Sequence, residues 1–260
     1  MMLELYHWEP NSFFLKPLIV LHEKGLAFTS HYFDPFDPDN GAKRPKLNAE
    51  AAFNPEGDGP ILVDGKAVLT ESFFIALYLD EAFPRVPLRP ADAYGHWSVL
   101  NWGRFVGEWM APSVSLLGCA RYVAPRLKRL PAAQVEQLRR RTAEREWCTG
   151  WASVADITPE MESQAKEKVT LGVKRLESAL ATADWLAGNA YSLADIEAFA
   201  LCHPLTSLLP DVVNKAAAPR LAGWLERIRS RPAVKAALAT SRSGRPEEAF
   251  LPGPELSRWG

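Results

Sequence analysis

The stretch Asn54-Pro-Glu-Gly-Asp-Gly-Pro-Ile-Leu-Val-Asp-Gly-Lys-Ala-Val-Leu-Thr-Glu-Ser72 decides how the rest of the chain is read. It opens with a loop dense in Gly and Pro that ends at Pro60. Two short apolar runs follow, Ile61 to Val63 and Ala67 to Leu69, joined by Asp64-Gly65. Asp-Gly between apolar runs is the strongest short-range signal for a tight β-hairpin, because both central residues of the favoured turn need positive φ. Thr70-Glu71-Ser72 then leads into Phe73 to Leu79, apolar and long enough for a helix. A loop with a candidate cis proline thus feeds a hairpin, and the hairpin feeds a helix N-terminus. Free backbone groups and a helix dipole collect at that corner, which suits a small, anionic, peptide-like ligand.

Upstream, Leu3 to Trp8 alternates as a strand does, with Leu3 and Leu5 on one face and Tyr6 and Trp8 on the other. A turn at Glu9-Pro10-Asn11-Ser12 leads to Leu15–Lys24, where Leu15, Leu18, Ile19 and His22 fall at helical spacing and Pro17 is placed in the first turn. Gly25 ends that helix, and Phe28–Phe33 reads as a second strand. Asp34 to Asp39, rich in acids and prolines, forbids regular structure, and Lys43–Phe53 is a weak helix. The order β-α-β-(α)-β-β-α makes residues 1–83 a compact α/β module.

Downstream, the prolines between Phe83 and Pro90 mark residues 84–91 as a linker, and residues 92–260 read as all-helical. Trp97–Cys119 is helical in composition, and Pro112 is expected to kink or divide it. Residues 126–146 are basic; they form either a solvated helix face or a rim that attracts an anionic substrate or contacts a partner subunit. Val169, Val173, Leu176 and Leu180 form the core stripe of a helix from Pro159 to Thr182. Tyr191 to Ile196 is a helix-start signal: Ser192 as N-cap, Asp195 returning a bond to it, Tyr191 and Ile196 as a hydrophobic staple. Leu221, Trp224, Leu225 and Ile228 mark one more helix, stopped by Arg231-Pro232. The Pro-, Gly- and charge-rich tail after Ser241 is expected to be loosely ordered.

Composition narrows the function classes. With 260 residues, 47% of them hydrophobic, the chain can build a substantial core. A net charge of −1 gives no global attraction to nucleic acid or to a membrane surface. No apolar run approaches the ~20 residues of a membrane span, and the N-terminus lacks a basic region followed by an apolar one, so a cytoplasmic protein is expected. Cys119, Cys148 and Cys202 are widely spaced and form no metal-binding pattern, so no metal is expected.

An α/β module with a Pro60-type loop and Thr70-Glu71-Ser72, followed by a helical domain carrying Ser192-x-x-Asp195, resembles the cytosolic glutathione transferases. Leu15-Lys16-Pro17-Leu18, Leu21-His-Glu-Lys-Gly-Leu26, Leu88-Arg-Pro-Ala-Asp92 and Tyr191-Ser-Leu-Ala-Asp-Ile196 bring it nearer to one branch, the bacterial β-etherases, which cleave β-aryl ether dimers from lignin with glutathione. The resemblance implies a thioredoxin-like N-terminal domain followed by a helical-bundle C-terminal domain, with glutathione as co-substrate and a homo- or heterodimer as the assembly. It also implies that Pro60 is cis, that the Gly59 backbone pairs with the cysteinyl part of glutathione, and that the Glu71 backbone and Ser72 hydroxyl hold its γ-glutamyl carboxylate. By the same resemblance, aromatics of the helical domain line the hydrophobic substrate pocket: Trp102, Phe105, Trp109, with Trp147 or Trp151. Core packing is the alternative for each of them.

Three departures from the family pattern stand out. Glu56 reverses a charge that relatives carry as Arg, and Gly59 replaces a branched apolar residue before the key proline. Where this branch places an Asn or Ser to stabilise the thiolate, this chain has Phe13 and Phe14, with Asn11-Ser12 two residues upstream. Either the turn is re-formed so that Asn11 and Ser12 serve, or backbone N–H groups and the helix dipole do the work. A thiol of pKa ~8.5 is only a few per cent ionised at pH 7, and lowering it two units takes about 2.7 kcal/mol. One charge-assisted hydrogen bond, roughly 1.5–3 kcal/mol, and a helix N-terminus, roughly 0.3–2 kcal/mol, reach that figure together. Tyr6 is a weaker candidate because a strand position favours a core role. Three functions remain open: β-aryl ether cleavage, a broad glutathione transferase for other electrophiles, and a weakly active subunit of a heterodimer.

Overall fold

The computed structural model describes residues 3–37, 59–143 and 154–252. Glu56, the weak helix expected over Lys43–Phe53, Arg145, Trp147, Cys148 and Trp151 lie outside the described residues. Strand β1 (Leu3–His7), helix α1 (Ser12–Glu23) and strand β2 (Phe28–Tyr32) form a right-side-up β-α-β unit in which β1 and β2 run parallel, Leu3 opposite Phe28 and His7 opposite Tyr32. Strand β3 (Ile61–Asp64) lies antiparallel to β1 on its other side, and β4 (Ala67–Leu69) closes the edge, giving the order β2-β1-β3-β4. Helix α2 (Ser72–Ala82) completes the thioredoxin-like module expected from the sequence.

Two local expectations are corrected. Asp64 pairs with Ala67, so the two-residue loop of the hairpin is Gly65-Lys66 rather than Asp64-Gly65. Gly65 has φ +62° and no neighbour in the loop shares a positive φ, the pattern of a type II′ turn with glycine first. Asp64 therefore stays in the strand, where its carboxylate accepts from the Tyr78 hydroxyl at 2.9 Å. Helix α1 begins at Ser12, a turn earlier than expected, which puts Pro17 inside the helix. The Phe13 carbonyl thereby loses its usual i+4 donor, a cost offset by burial of Leu15, Leu18, Ile19, Val20 and Leu21, all essentially inaccessible.

From Ala93 the regular structure of the described residues is helical. A single run contains α3 (Ala93–Arg104), a π-helical segment (Phe105–Met110), α4 (Ala111–Gly118), a second π segment (Cys119–Val123) and α5 (Ala124–Leu127). Pro112 does not divide it: the helical run continues through the proline. The Ala111 N–H reaches the Val106 carbonyl and the Ala124 N–H reaches that of Cys119, each five residues back. Pro112 and Pro125 each follow one residue later, where the widened turn accommodates a ring that an ordinary turn would reject.

Among the described residues the remaining α-helices are α6 (Ala132–Ala143), α7 (Pro159–Ala179), α8 (Leu193–Cys202), α9 (Leu205–Leu208), α10 (Pro219–Arg229) and α11 (Pro232–Leu238). Helix α7 starts on Thr158, whose hydroxyl accepts from the Met161 N–H, and buries Val169, Val173 and Leu176 as the stripe requires. Asp195 is structural. Its fully buried carboxylate returns a bond to the Ser192 N–H at 3.0 Å and also accepts from Leu186 N–H and the Trp224 indole, both at 3.1 Å. Among the described residues, no helix is long and apolar enough to cross a membrane.

The two halves are locked together. Lys24, buried on α1, pairs with Asp80 at 2.7 Å and donates to the Phe83 and Val86 carbonyls at 2.9 and 3.1 Å, pinning the linker. Arg231 clasps Glu23 with two bonds of 2.6 and 2.9 Å. Gly103 lets α3 approach α2 so closely that a Cβ there would lie 2.3 Å from the Phe73 ring. The tail after Ser241 is not loose over its described part: Phe250 is buried against Gly118 and stacks on Tyr122 with ring centroids 6.0 Å apart.

Candidate active site

The β1–α1 turn is re-formed around Asn11 and Ser12. Asn11 is the N-cap of α1 by backbone conformation, and Ser12 opens the helix with φ +46°, unusual for a residue with a Cβ. Both are buried. The Asn11 amide Nδ2 donates to the Ala249 carbonyl at 2.9 Å, while Asn11 Oδ1 and Ser12 Oγ have no hydrogen-bond partner among the described residues. A buried hydroxyl with no partner there keeps its capacity to donate.

The Gly59–Pro60 peptide bond is cis. Gly59 has φ +89°, a conformation that glycine alone adopts without strain. A Cβ added there would stand 3.3 Å from both the Phe14 and Phe33 rings. Phe14 in turn packs on Phe33 and Trp8, with ring centroids 5.8 and 6.3 Å away. Two of the departures noted in the sequence thus fit each other: the ring of Phe14 fills the place that a side chain at position 59 would take. Ser12 lies two residues from that contact, so the turn and the cis-proline loop meet at one corner.

Glu71 is a second strained residue, with φ +64° and ψ +106°, and it serves as N-cap of α2 by position. Ser72 is the first helical residue, and it is buried. Such outliers persist where the surroundings over-determine them, and they cluster at ligand sites. Burial pushes the Glu71 carboxyl above the ordinary glutamate range, and the charge of Lys16 opposes that rise. Lys16 stands one helical turn after Ser12 on α1. Its ammonium is buried over the Phe13 ring and bonds Glu197 Oε1 of α8 at 2.6 Å, while Glu197 Oε2 has no partner among the described residues. One lysine therefore links the Ser12 end of the corner, the Glu71 end and the helical half of the molecule.

Trp102, Phe105 and Trp109 form a continuous row. Phe105 and Trp109 stack 5.2 Å apart, Trp102 meets Phe105 edge-on at 5.7 Å, and the Arg175 guanidinium of α7 lies 4.0 Å from the Phe105 centroid. Phe105 and Trp109, with Asn101, Arg104, Glu108, Leu171 and Arg175, line a cleft of about 470 Å³. That cleft faces α7. Gly103 and Gly107, on the opposite side of the same run, face Phe73 and Glu197. The Tyr122–Phe250 stack, in which Phe250 is buried, is joined to the Asn11–Ser12 turn through the Asn11–Ala249 bond.

Comparison with known proteins agrees with this geometry. The glutathione S-transferase N-terminal domain model matches residues 12–82 and the glutathione S-transferase C-terminal domain model matches residues 152–232. Protein LigF of Sphingobium sp. strain SYK-6 is 34% identical over 242 residues, covering 90% of this chain and 92% of that one. The chain belongs to the glutathione S-transferase family. Glutathione S-transferase 3 of Zea mays is 31% identical over 241 residues, covering 91% of this chain and 93% of that protein. Among solved structures, β-etherase LigF superposes with a TM-score of 0.81 at 32% identity, over 93% of this chain and all of that one. A sphingomonad glutathione S-transferase complexed with glutathione gives a TM-score of 0.65 at 25% identity, over 91% and 97%.

Within this transferase, several side chains escaped the sequence reading. Lys16, Glu197 and Glu9 carry no local signal of their role; only contact between distant segments reveals that each is buried and paired. Tyr6 stays on the sheet, stacked on His31 at 4.3 Å, and burial raises its hydroxyl pKa, the wrong direction for an activated group. Cys119 and Cys202 are buried thiols pushed up by desolvation, Cys202 to about 12, and are not nucleophiles. Of the basic stretch, Arg126 is committed to Asp34 at 3.2 Å and to the face of Phe36.

Proposed function

We propose that this transferase cleaves β-aryl ether bonds of lignin-derived aromatic ketones with glutathione. The observation that supports this subclass is the likeness to β-etherase LigF along nearly the whole chain, with helical and sheet segments in the same places. The glutathione thiolate attacks the carbon next to the ketone, the carbon–oxygen bond to the aryl group breaks, and a phenolate leaves with the electron pair. A glutathione thioether of the ketone remains.

Within that reaction Ser12 and Asn11 divide the work. Asn11 Nδ2 is already engaged by Ala249, whereas Ser12 Oγ is buried with no partner among the described residues, so Ser12 is the thiolate donor and Asn11 holds the turn. The cysteinyl backbone pairs at Gly59 beside cis-Pro60, and the γ-glutamyl carboxylate is taken at the N-terminus of α2 by the Glu71 N–H and Ser72. Glu71 and Lys16 offer that end one group of each sign. The acceptor's aromatic ring is placed against the Tyr122–Phe250 stack, which is tied to the turn; the Phe105–Trp109 cleft expected from the sequence is the alternative seat. Phe250→Ala and Trp109→Ala separate them, because the variant at the true seat raises KM for the aromatic substrate and leaves KM for glutathione unchanged.

Apolar side chains left open on one side, Phe74 on α2 with Tyr94, Trp97 and Leu100 on α3, support a dimer through this face. The buried, unpaired Cys119 and Cys202 fit a reducing, cytoplasmic setting. The deciding experiment incubates the protein and glutathione with a β-aryl ether ketone, and in parallel with a halogenated electrophile. Phenol release above the uncatalysed rate supports the subclass. Turnover of the halide alone leaves a broad glutathione transferase.

A further inference from the structure

Glu9 lies two residues before Asn11, is 2% exposed, and takes no part in the chemistry above. Its carboxylate accepts five hydrogen bonds: from the Tyr32 hydroxyl at 2.6 Å, the Ser241 hydroxyl, the Arg242 and Ser243 N–H groups at 3.0 and 2.9 Å, and the Ser243 hydroxyl at 3.0 Å. All but the first come from the C-terminal tail. These donors outweigh the cost of burial and hold the carboxyl below the ordinary glutamate range. The Arg242 guanidinium covers the Tyr32 ring at 4.1 Å, closing the knot from above. The same tail returns to the turn at Ala249, which takes the Asn11 amide, and at Phe250, which seals against Gly118.

The tail therefore grips the β1–α1 turn at two points, one on each side of Pro10. Just after them Ser12 opens helix α1, and its φ of +46° persists only if its flanks are fixed. Downstream the helix fixes it. Upstream the fixed residues are Glu9 and Asn11, and both are held by the tail.

We propose that the segment Ser241–Phe250 is a working part of the active site, with Glu9 as the positioning residue that clasps it onto the β1–α1 turn and so holds the Ser12 hydroxyl at the thiolate. This rests on the reading that Ser12 activates bound glutathione. A misplacement of the donor by a fraction of an ångström weakens the thiolate contact without disturbing the distant grip on the γ-glutamyl end.

The test uses the full chain with Glu9→Gln and, separately, the pair Ser241→Ala with Ser243→Ala, which removes tail donors and leaves the turn untouched. Calorimetry with S-methylglutathione reads binding, and ultraviolet absorbance of bound glutathione against pH reads the thiol pKa. Both variants are expected to bind S-methylglutathione within about twofold of wild type while the thiol pKa rises by about half a unit to one unit. At a pH about one unit below the wild-type thiol pKa, kcat falls by roughly three- to tenfold, with KM for glutathione little changed. Variants that lose stability but keep the wild-type thiol pKa and kcat overturn the clasp and leave the glutathione reading standing. A wild-type chain that does not bind S-methylglutathione overturns both. Should Glu9→Gln fail to fold, the paired serine variant decides.

Discussion

Ser12→Ala isolates the group on which thiol activation depends. The Ser12 hydroxyl is buried and makes no hydrogen bond among the described residues, so its removal breaks no bond there. The variant should match wild-type stability to within about 0.5 kcal/mol or exceed it, since an unsatisfied buried polar group is itself a cost. The bound thiolate loses one charge-assisted hydrogen bond, about 1.5–3 kcal/mol, which at 1.36 kcal/mol per unit is a rise of about one to two pKa units. If wild type holds the thiol near 6.5, about three-quarters ionised at pH 7, the variant holds it between about 7.5 and 8.5, and the ionised fraction falls to between about a quarter and a few per cent. Thiolate absorbance titrated from pH 5 to 10 measures this directly, and denaturant unfolding of the same samples measures stability. A wild-type thiol pKa in Ser12→Ala would refute the assignment and return the role to backbone N–H groups and the helix dipole. So would a raised pKa accompanied by a large loss of stability, because the residue would then be structural.

Other consequences follow from the same geometry. Lys16→Met leaves Glu197 buried and unpaired and should cost about 3–5 kcal/mol in denaturant unfolding, whereas adding Glu197→Leu should recover most of the loss. Gly103→Ala drives a Cβ to within 2.3 Å of the Phe73 ring and should cost about 1–3 kcal/mol, read as an earlier unfolding midpoint with unchanged m-value. Glu9 has a folded-state pKa below its unfolded value, so its contribution is complete above the ordinary glutamate pKa and is lost as pH falls through the depressed one. The stability gap between wild type and Glu9→Gln should therefore be widest near neutrality and close in acid; a gap that widens as pH falls would contradict the sign.

The parts of the fold that local chemistry governs were legible before any coordinates. The alternation at Leu3 and Leu5, the stripe at Val169, Val173 and Leu176, and the capping box at Ser192 and Asp195 each need only neighbours in sequence, and each stands as read. The hairpin was found but its turn was misplaced by one residue, because Asp-Gly and Gly-Lys are both good turn pairs and only the pairing of Asp64 with Ala67 chooses. Pro112 looked like a break because a proline penalty is local, while the π turn that absorbs it depends on packing of the whole run. The tail looked loose because its anchors, Glu9 and Asn11, are more than two hundred residues away in sequence. The site divides the same way: the cis Gly59–Pro60 bond and the α2 N-terminus at Glu71-Ser72 carry motif signals, whereas the Lys16–Glu197 pair and the fit of Phe14 beside Gly59 exist only in three dimensions.

The most direct test of the proposed chemistry is product stoichiometry. A β-aryl ether ketone and its alcohol-reduced counterpart are each incubated with the protein and glutathione, and phenol, residual glutathione and thioether are quantified together. Phenol and thioether formed in equal amounts from the ketone, each matching the glutathione consumed, with nothing from the alcohol, is the result expected of thiolate attack on a ketone-activated carbon. Phenol release without a matching thioether, or equal release from the alcohol, would contradict it.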